Sequence, residues 1–370
     1  MRRLDRNRLS LGLFGFNCSG GLGVTMVPER WDASWDNNQK LARMADEAGL
    51  DFLLPLGRWK GYGGRVNHNG SSFETLSWAS GLLASTKDIM AFGTVHVPAM
   101  NPIVASKQMV TADHIGHGRF GLNIVCGWNP DEFDMLGLSL REHERRYDQG
   151  QEWVDIIGKA WTAREPFDYA GDFYRIRNTV MEPKPWSGTR PFIVCAGNSE
   201  RGRDFAAKNA DMQFTMLYDI PEARKEIEKL NAAAAAHRRS VGVFTSVSVT
   251  VRPTRKEAEE YFHYFAVEHA DQEAIEYMVI GRGLDKPGVP EERRKMFRLR
   301  AGAANGGLPI VGDPDDVART MQQLSDIGVT ALAMGFTNYL QHLPYFRDEV
   351  LPRLERLGLR APRRAVSAAQ

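Results

Sequence analysis

Short apolar runs alternate with longer amphipathic stretches along most of the chain. The apolar runs are rich in β-branched and aromatic residues, which is typical of strands. They predict strands at about 9–17, 50–56, 89–97, 119–128, 191–197, 211–216, 241–251 and 329–336. The stretches between them place apolar residues at helical spacing. These stretches predict helices at about 35–49, 73–86, 101–118, 140–163, 200–209, 221–237, 256–269 and 314–328.

Regular alternation of strands and helices is typical of parallel βαβ units whose helices cover both faces of the sheet. An open doubly wound sheet and a closed barrel both satisfy this pattern, but eight units favour the barrel. The sequence therefore predicts the α/β class and a single (β/α)8 TIM barrel over residues 9–357. Two long connections, at about 168–188 and 285–312, are predicted insertions, and residues 1–8 and 358–370 are predicted flexible tails.

Charge and cysteine content narrow the function classes. The chain carries 47 basic and 46 acidic side chains, a net charge of +1, so no nucleic acid or membrane partner is indicated. The three cysteines lie far apart in the sequence, which argues against a disulfide framework and favours the cytoplasm. No residues follow a metal-ligand spacing, so no metal site is predicted.

Small and polar residues follow several of the predicted strands. In a barrel of this kind the carboxyl ends of the strands meet at one face and form the active site. The candidate residues at that face are Gly57, Arg58, Thr94, His96, Asn123, Trp128, Gly197 and Ser199. Carboxylates and histidines are few among the strand ends, which favours a cradle for a large planar ligand over an acid–base hydrolase.

Several residues of this region also have a purely structural interpretation. Ser199 precedes a predicted helix, where it can be an ordinary N-cap or can hold a phosphate together with the helix N-terminus. His96 can be a core histidine or a catalytic one. Cys126 and Cys195 are interpreted as small buried hydrophobic residues rather than nucleophiles. The charged stretch 142–153 is by itself typical of a solvated helix face.

Five stretches together resemble one known family. They are LARMADEAGLDF (41–52), KGYGG (60–64), KQMVTADHIGHGRFGLNIVCGW (107–128), HERRY (143–147) and PFIVCAG (191–197). On these motifs the chain resembles the bacterial-luciferase-like flavin monooxygenases, in particular the group that contains the pyrimidine (uracil), dimethylsulfone and alkanesulfonate monooxygenases. The resemblance covers residues 9–357, nearly the whole chain.

The resemblance implies a (β/α)8 barrel that binds reduced FMN (FMNH2). It also implies which residues contact the flavin: Gly57, Arg58, Asn123, Glu132, Arg146, Tyr147, Gly197 and Ser199. At the first two of these positions the family has an aliphatic residue followed by lysine, so Arg58 keeps the positive charge and Gly57 departs from the pattern. Arg146 is then expected to bind the phosphate, because a guanidinium pairs with phosphate oxygens in a bidentate fork.

Further roles follow from the same resemblance. Asn123 and Thr94 are expected to form a small pocket for O2 beside the flavin, and His96 is the candidate general acid. Trp128 is expected to wall the cavity. Arg298 and Arg300, in the basic and glycine-rich connection 285–312, are expected to belong to a lid that closes over the substrate.

The function expected from this resemblance is that of a two-component FMNH2-dependent monooxygenase. It would insert one oxygen atom from O2 into a small polar substrate, such as a pyrimidine or an organosulfur compound. An NAD(P)H-dependent flavin reductase would supply the reduced FMN, and the chain would form a homodimer or homotetramer. Two alternatives remain open: hydride transfer with the deazaflavin F420 on the same barrel, and a non-catalytic flavin-binding protein.

Overall fold

The computed structural model describes residues 4, 6–217 and 219–362. Its strands are β1 (Ser10–Phe14), β2 (Phe52–Leu54), β3 (Met90–His96), β4 (Phe120–Val125), β5 (Phe167–Ala170), β6 (Arg175–Thr179), β7 (Phe192–Ala196), β8 (Met212–Phe214), β9 (Gly242–Val251), β10 (Leu308–Gly312) and β11 (Val329–Gly335). All eight predicted strands are present, although most are shorter than their apolar runs. β2, for example, ends before Pro55, which has no N–H to donate to a neighbouring strand.

Eight of these strands form a closed parallel barrel in the order β1, β2, β3, β4, β7, β8, β9 and β11. β11 closes it by pairing with β1, and β8 pairs with β9. Because every pairing in the barrel is parallel, the carboxyl ends of all eight strands lie at the same face. The predicted (β/α)8 barrel is therefore confirmed.

Helices connect the strands and cover the outside of the barrel. They are α1 (Trp35–Glu47), α2 (Thr75–Ser85), α3 (Pro102–Ile115), α4 (Pro130–Met135), α5 (His143–Thr162), α6 (Glu200–Asn209), α7 (Ile220–Ala236), α8 (Arg255–His263), α9 (Gln272–Gly281), α10 (Glu291–Ala304), α11 (Pro314–Asp326), α12 (Tyr339–Tyr345) and α13 (Leu351–Arg356). Several begin at a side-chain cap that accepts from the exposed backbone N–H groups of the first turn, as Asn101 does for α3 and Asp313 for α11.

The two predicted insertions contain regular structure. Residues 168–188 include most of an antiparallel hairpin formed by β5 and β6. The connection 285–312 was predicted as an insertion and as part of a lid, and the structure places the helix α10 and the strand β10 there. β10 pairs with residues 247–251 of β9, on the side of β9 away from β11. The connection therefore extends the barrel wall instead of lying free above it.

The apolar core has two layers. Phenylalanines fill the inside of the barrel, where the rings of Phe52 and Phe244 lie edge to face with their centroids 4.7 Å apart. A second and larger cluster lies between the strands and the surrounding helices. Since the inside of the barrel is packed with side chains, the space for a ligand is confined to its carboxyl end.

The predicted flexible tails fall partly outside the described residues, namely 1–3, 5 and 363–370. Some residues of the described chain ends are packed against the barrel. Leu4 belongs to the apolar cluster inside the barrel, and Leu359 is fully buried with its carbonyl accepting from the Leu9 N–H at 2.9 Å. Along the described residues, no helix combines the length and the apolar character needed to cross a bilayer.

Candidate functional site at the carboxyl end of the barrel

A cavity of about 590 Å³ opens at the carboxyl ends of the strands. Its lining brings together nine of the predicted site residues: Gly57, Arg58, Thr94, His96, Asn123, Arg146, Tyr147, Gly197 and Ser199. Trp128, predicted to wall the cavity, also lines it. Residues that are far apart in the sequence therefore meet in one space of the size that large ligands occupy.

Thr94 and Asn123 lie side by side in this cavity, because they are register partners on β3 and β4. The Asn123 amide donates to the Thr94 hydroxyl at 3.2 Å, and that hydroxyl donates to the Pro55 carbonyl at 2.9 Å. Asn123 Oδ1 is buried and has no hydrogen-bond partner among the described residues. A buried acceptor without a partner is costly, so this oxygen is suited to receive an N–H from a bound ligand.

Arg58 lies in the cavity wall and is held from behind by Glu132. The two side chains form a buried ion pair at 2.8 Å, and Glu132 also accepts from the backbone N–H of Trp59 at 3.0 Å. Arg58 donates to the Tyr62 hydroxyl at 2.7 Å. Glu132 was predicted as a direct flavin contact, but it does not line the cavity. One of its carboxylate oxygens, Oε1, accepts from Arg58 and from the backbone N–H groups of the loop after β2.

His96 is neutral in the folded protein at physiological pH. Its Nδ1 accepts from the indole N–H of Trp59 at 3.3 Å, so the ring proton lies on Nε2. Burial lowers the pKa of His96 to about 4, with the positive charge of Arg58 adding to this effect and Glu132 opposing it. A histidine in this state can donate a hydrogen bond from Nε2, but it is not an imidazolium acid near neutral pH.

The neighbours of Gly57 leave no room for a side chain at this position. A Cβ at this position would lie 2.6 Å from Cε1 of His96 and 2.7 Å from the methyl group of Thr94, which is too close for any side chain. The aliphatic residue that the family pattern has here would collide with both. Glycine replaces the aliphatic residue of the family pattern here because His96 and Thr94 lie so close to the end of β2.

Arg146 and Tyr147, near the start of the long helix α5, lie at another part of the cavity lining. Arg146 donates to the carbonyl of Gly127, and its buried Nε has no partner among the described residues. The Tyr147 hydroxyl lies against Gly197, where a Cβ would be only 2.8 Å from it.

Ser199 caps α6 by accepting from the Gly202 N–H at 3.0 Å, so its interpretation as a structural cap is confirmed. Ser199 also lines the cavity, at the N-terminus of α6.

The sequence profile of the luciferase-like monooxygenases matches residues 11–331 of the chain. The chain belongs to the luciferase-like monooxygenase family. The predicted resemblance to this family is confirmed.

Named relatives agree with this assignment. The FMNH2-dependent dimethylsulfone monooxygenase of Pseudomonas fluorescens is 30% identical over 353 residues, which cover 93% of this chain and 94% of the relative. The pyrimidine monooxygenase RutA of Allorhizobium ampelinum is 30% identical over 331 residues, 86% of this chain and 89% of the relative. Among solved structures, riboflavin lyase RcaE with modified FMN and riboflavin superposes with a TM-score of 0.85 at 21% identity, over 95% of this chain and 92% of that one.

The two arginines predicted for a lid in this luciferase-like protein do not line the cavity. Arg298 points away from the cavity and pairs with Glu276 at 2.6 Å, while Arg300 is buried and does not line the cavity either. The face of α10 that lines the cavity carries Arg293 and Phe297, one helical turn apart. The sequence marked a basic segment correctly, but composition alone does not tell which arginine of a helix faces a ligand.

Arg282 is a further cavity residue that sequence reasoning missed. It follows α9, a helix that was not among the predicted elements. Its guanidinium lies 5.8 Å from the Trp128 ring centroid and 5.0 Å from that of Phe297. Trp128 also lies 5.7 Å from the guanidinium of Arg58, so two cations lie close to its indole ring.

Cys126 and Cys195 of this luciferase-like protein are both buried. Cys126 lines the cavity, but burial raises the pKa of its thiol to about 12. Burial also raises the pKa of Cys195 well above its ordinary value. Thiols in this state are protonated at neutral pH and pack as small apolar groups, as predicted. Within the described residues, no three histidine, cysteine or carboxylate side chains gather in a way that could hold a metal ion.

Proposed function

We propose that the chain is the oxygenase component of a two-component FMNH2-dependent monooxygenase. A separate NAD(P)H-dependent flavin reductase would supply the reduced FMN. The proposal rests on one observation above all: a single cavity contains an amide oxygen of Asn123 and a guanidinium of Arg146, both with buried atoms that lack a partner among the described residues. The dimethylsulfone monooxygenase relative, named as FMNH2-dependent, supports the choice of cofactor.

The residues of the cavity fit FMN in three respects. Its volume of about 590 Å³ suits a ligand of this size. Asn123 Oδ1 is placed to accept an N–H of the flavin ring, and Arg146 is placed to meet the phosphate. The absence of any Asp or Glu from the described lining also suits an anionic cofactor.

The phosphate would be held by residues at two helix ends. Arg146 provides charge, and its hydrogen bond to the Gly127 carbonyl sets the direction of the guanidinium. Ser199 and the first N–H groups of α6 provide a helix N-terminus, whose dipole favours an anion. The Tyr147 hydroxyl lies beside them, against Gly197. Burial raises the pKa of Tyr147 to about 12, so it remains a hydrogen-bond donor at neutral pH.

Reduced FMN, when bound, supplies the chemistry: it reacts with O2, one oxygen atom goes to the substrate and the other leaves as water. The protein would orient the reactants and exclude water. Asn123 and Thr94, joined by a hydrogen bond, present a fixed polar edge for the flavin and the oxygen beside it. His96 presents a neutral Nε2–H to the same cavity as a hydrogen-bond donor. Trp128 and Phe297 cover the cavity with apolar surface, which limits the access of water.

A small polar organic molecule is the proposed substrate, either a pyrimidine-like heterocycle or an organosulfur compound. The names of the two curated relatives, a dimethylsulfone and a pyrimidine monooxygenase, support these classes. The full set of eight barrel strands argues against a non-catalytic flavin-binding relative, because such relatives are expected to have a shortened barrel.

An oxygenation assay with isotopically labelled O2 tests this proposal. The protein is supplied with FMNH2 by a flavin reductase and NADH, and it is screened with dimethylsulfone, uracil and short alkanesulfonates. Mass spectrometry should find a product that carries one labelled oxygen atom. Formation of a reduced or dehydrogenated product with F420, and of no oxygenated product with FMNH2, would instead establish the hydride-transfer alternative.

A further inference from the structure

The lining of the main cavity is strongly unbalanced in charge. It contains four arginines, and no aspartate or glutamate appears in its described lining. The arginines are Arg58, Arg146, Arg282 and Arg293. Two of them have an assigned counter-charge. Glu132 neutralises Arg58 through a buried ion pair, and the FMN phosphate would pair with Arg146. The positive charges of Arg282 and Arg293 remain.

Arg282 is held in place by groups that leave its charge uncompensated. It donates to the backbone carbonyl of Asn305 at 3.2 Å and to the Asn305 side-chain oxygen at 3.3 Å, both neutral acceptors. The rings of Trp128 and Phe297 lie close to its guanidinium. Its Nε is buried and has no partner in the described part of the chain. A guanidinium fixed in this way is pre-organised to receive an anion.

Arg293 lies on the same side of the cavity, one helical turn before Phe297 on α10. Its side chain makes no hydrogen bond or ion pair with the described residues. The neighbouring arginines of α10 behave differently: Arg294 pairs with Glu291 at 2.9 Å, and Arg298 pairs with Glu276 at 2.6 Å. The cation that faces the cavity is thus the one that the helix leaves without a carboxylate.

The contacts of Arg282 differ from those of Arg146. Arg282 contacts Asn305, Trp128 and Phe297, where Phe297 lies on α10 and Asn305 directly follows this helix. Arg146 donates to the carbonyl of Gly127, and its helix neighbour Tyr147 packs against Gly197, just before the start of α6. The two arginines therefore share no contact residue, although both sets of contacts reach the segment that follows β4.

We propose that Arg282 and Arg293 form an anion subsite, which binds the carboxylate or sulfonate group of an organic substrate. The apolar part of that substrate would lie against Trp128 and Phe297. This inference rests on the proposed function, because it assigns Arg146 to the cofactor and so leaves the second pair for the substrate. It narrows the substrate class from small polar molecules in general to organic anions. Dimethylsulfone, which appears in the name of one relative, is neutral, so the two proteins would differ in substrate charge.

Binding measurements with charge-matched ligand pairs test the subsite. Each pair contains an anion and a neutral molecule of nearly the same shape: benzenesulfonate with methyl phenyl sulfone, hexanesulfonate with methyl hexyl sulfone, and benzoate with benzamide. Isothermal titration of the protein saturated with oxidised FMN should show that at least one anion binds about tenfold or more tightly than its neutral partner. The pair that shows the preference tells whether the site favours sulfonates or carboxylates.

Variants of the two arginines make the assignment specific. Arg282→Gln and Arg293→Gln should each reduce the preference for the anion about tenfold while leaving the affinity for the neutral partner and for FMN unchanged. Arg298→Gln is the matched control, since it removes a charge from the same helix at a residue that pairs with Glu276. This control should keep the full preference. Circular dichroism and the Tm of each variant verify that it is folded.

Three results would overturn the proposal. Equal affinity for anion and neutral partner in all three pairs would exclude an anion subsite. A preference that persists in both glutamine variants would place the subsite elsewhere. A loss of FMN affinity in these variants, without a change in anion preference, would assign the two arginines to the phosphate. If the wild-type protein does not bind FMN at all, the proposed function fails, and the same titrations without FMN still report on the subsite.

Discussion

Arg58 and Glu132, 74 residues apart in the chain, form an ion pair at 2.8 Å in which each side chain is only 4% exposed. Burial acts to lower the pKa of Arg58, but its neighbours Tyr62 and Glu132 raise it overall, so the guanidinium stays charged. The pair joins the loop after β2 to the short helix α4. Loss of this pair should therefore both destabilise the cavity wall and leave Arg58 without the carboxylate that orients it.

Replacing Glu132 by alanine should lower the free energy of unfolding by about 3–5 kcal/mol, because it leaves Arg58 buried without a counter-charge. Urea denaturation of the purified protein measures this change. Glu276→Ala, which breaks the exposed ion pair with Arg298, is the control and should cost less than about 1 kcal/mol. If the free energy of unfolding falls equally in the two variants, the buried pair contributes no more to stability than the exposed one.

Arg146→Ala should weaken FMN binding by about 2 kcal/mol, since the phosphate loses a charge-assisted partner. The adjacent Arg145 provides a matched control. It is half-exposed, pairs with Asp172 at 3.2 Å and does not line the cavity. Arg145→Ala should leave the dissociation constant of FMN unchanged. The dissociation constant is measured by flavin fluorescence. If both substitutions change it equally, this part of α5 is a charged surface that does not bind the phosphate.

Asn123→Ala should still bind FMN, about 1 kcal/mol more weakly because one hydrogen bond is lost. It should nevertheless fail to transfer oxygen to the substrate and should release hydrogen peroxide, because the Thr94–Asn123 pair no longer fixes the reactants. The measurement is the amount of product formed for each FMNH2 consumed. Full coupling in this variant would contradict the role of Asn123, whatever its flavin affinity.

The stability of the protein should depend on the protonation of His96. Its pKa is about 4 in the folded protein, against an ordinary value of 6.5, so the unfolded chain binds a proton that the folded chain does not. Acidification from pH 6.5 to about 4 therefore lowers the free energy of unfolding. The stability that depends on neutral His96 is fully present above pH 6.5 and is lost as the pH falls toward 4. His96→Gln should reduce the slope of unfolding free energy against pH in this range by up to about 1.4 kcal/mol per pH unit.

Two other histidines, the buried His68 and the partly buried His342, act in the same direction. Burial, with a nearby arginine, lowers the pKa of His68 and of His342 to about 3, so some pH dependence should remain in the His96→Gln variant. Denaturation at several pH values between 4 and 7 separates the contributions. An unchanged slope in the variant would mean that His96 is already protonated in the folded protein, and the imidazolium would return as a candidate acid.

The strands and the position of the site followed from the sequence because each depends on local pattern. Strong apolar runs predicted all eight barrel strands, and the residues after them were bound to meet at one face once the barrel closed. β10 was missed, because LPIVG is short, contains a proline and follows two glycines. Its pairing with the far half of β9 depends on tertiary contacts that no local signal encodes.

The individual roles of charged residues were harder to predict from the sequence. Glu132 and Arg58 were both predicted to touch the flavin, yet a carboxylate next to an arginine can only be recognised once the two are seen in contact. The arginines of α10 show the same difficulty. Arg293 and Arg298 have the same side chain, and what separates them is the direction of each residue on the helix and the presence of Glu276 beside one of them.

Anaerobic titration of reduced FMN into the purified protein measures whether the cavity binds the proposed cofactor. We expect a dissociation constant in the micromolar range and weaker binding of oxidised FMN, because a cofactor supplied by a reductase must arrive reduced and leave oxidised. Reduced F420 should bind with no comparable affinity, and Arg146→Ala should weaken the binding of reduced FMN in the same experiment. Tighter binding of reduced F420 than of reduced FMN, or no binding of reduced FMN, would overturn the proposed function.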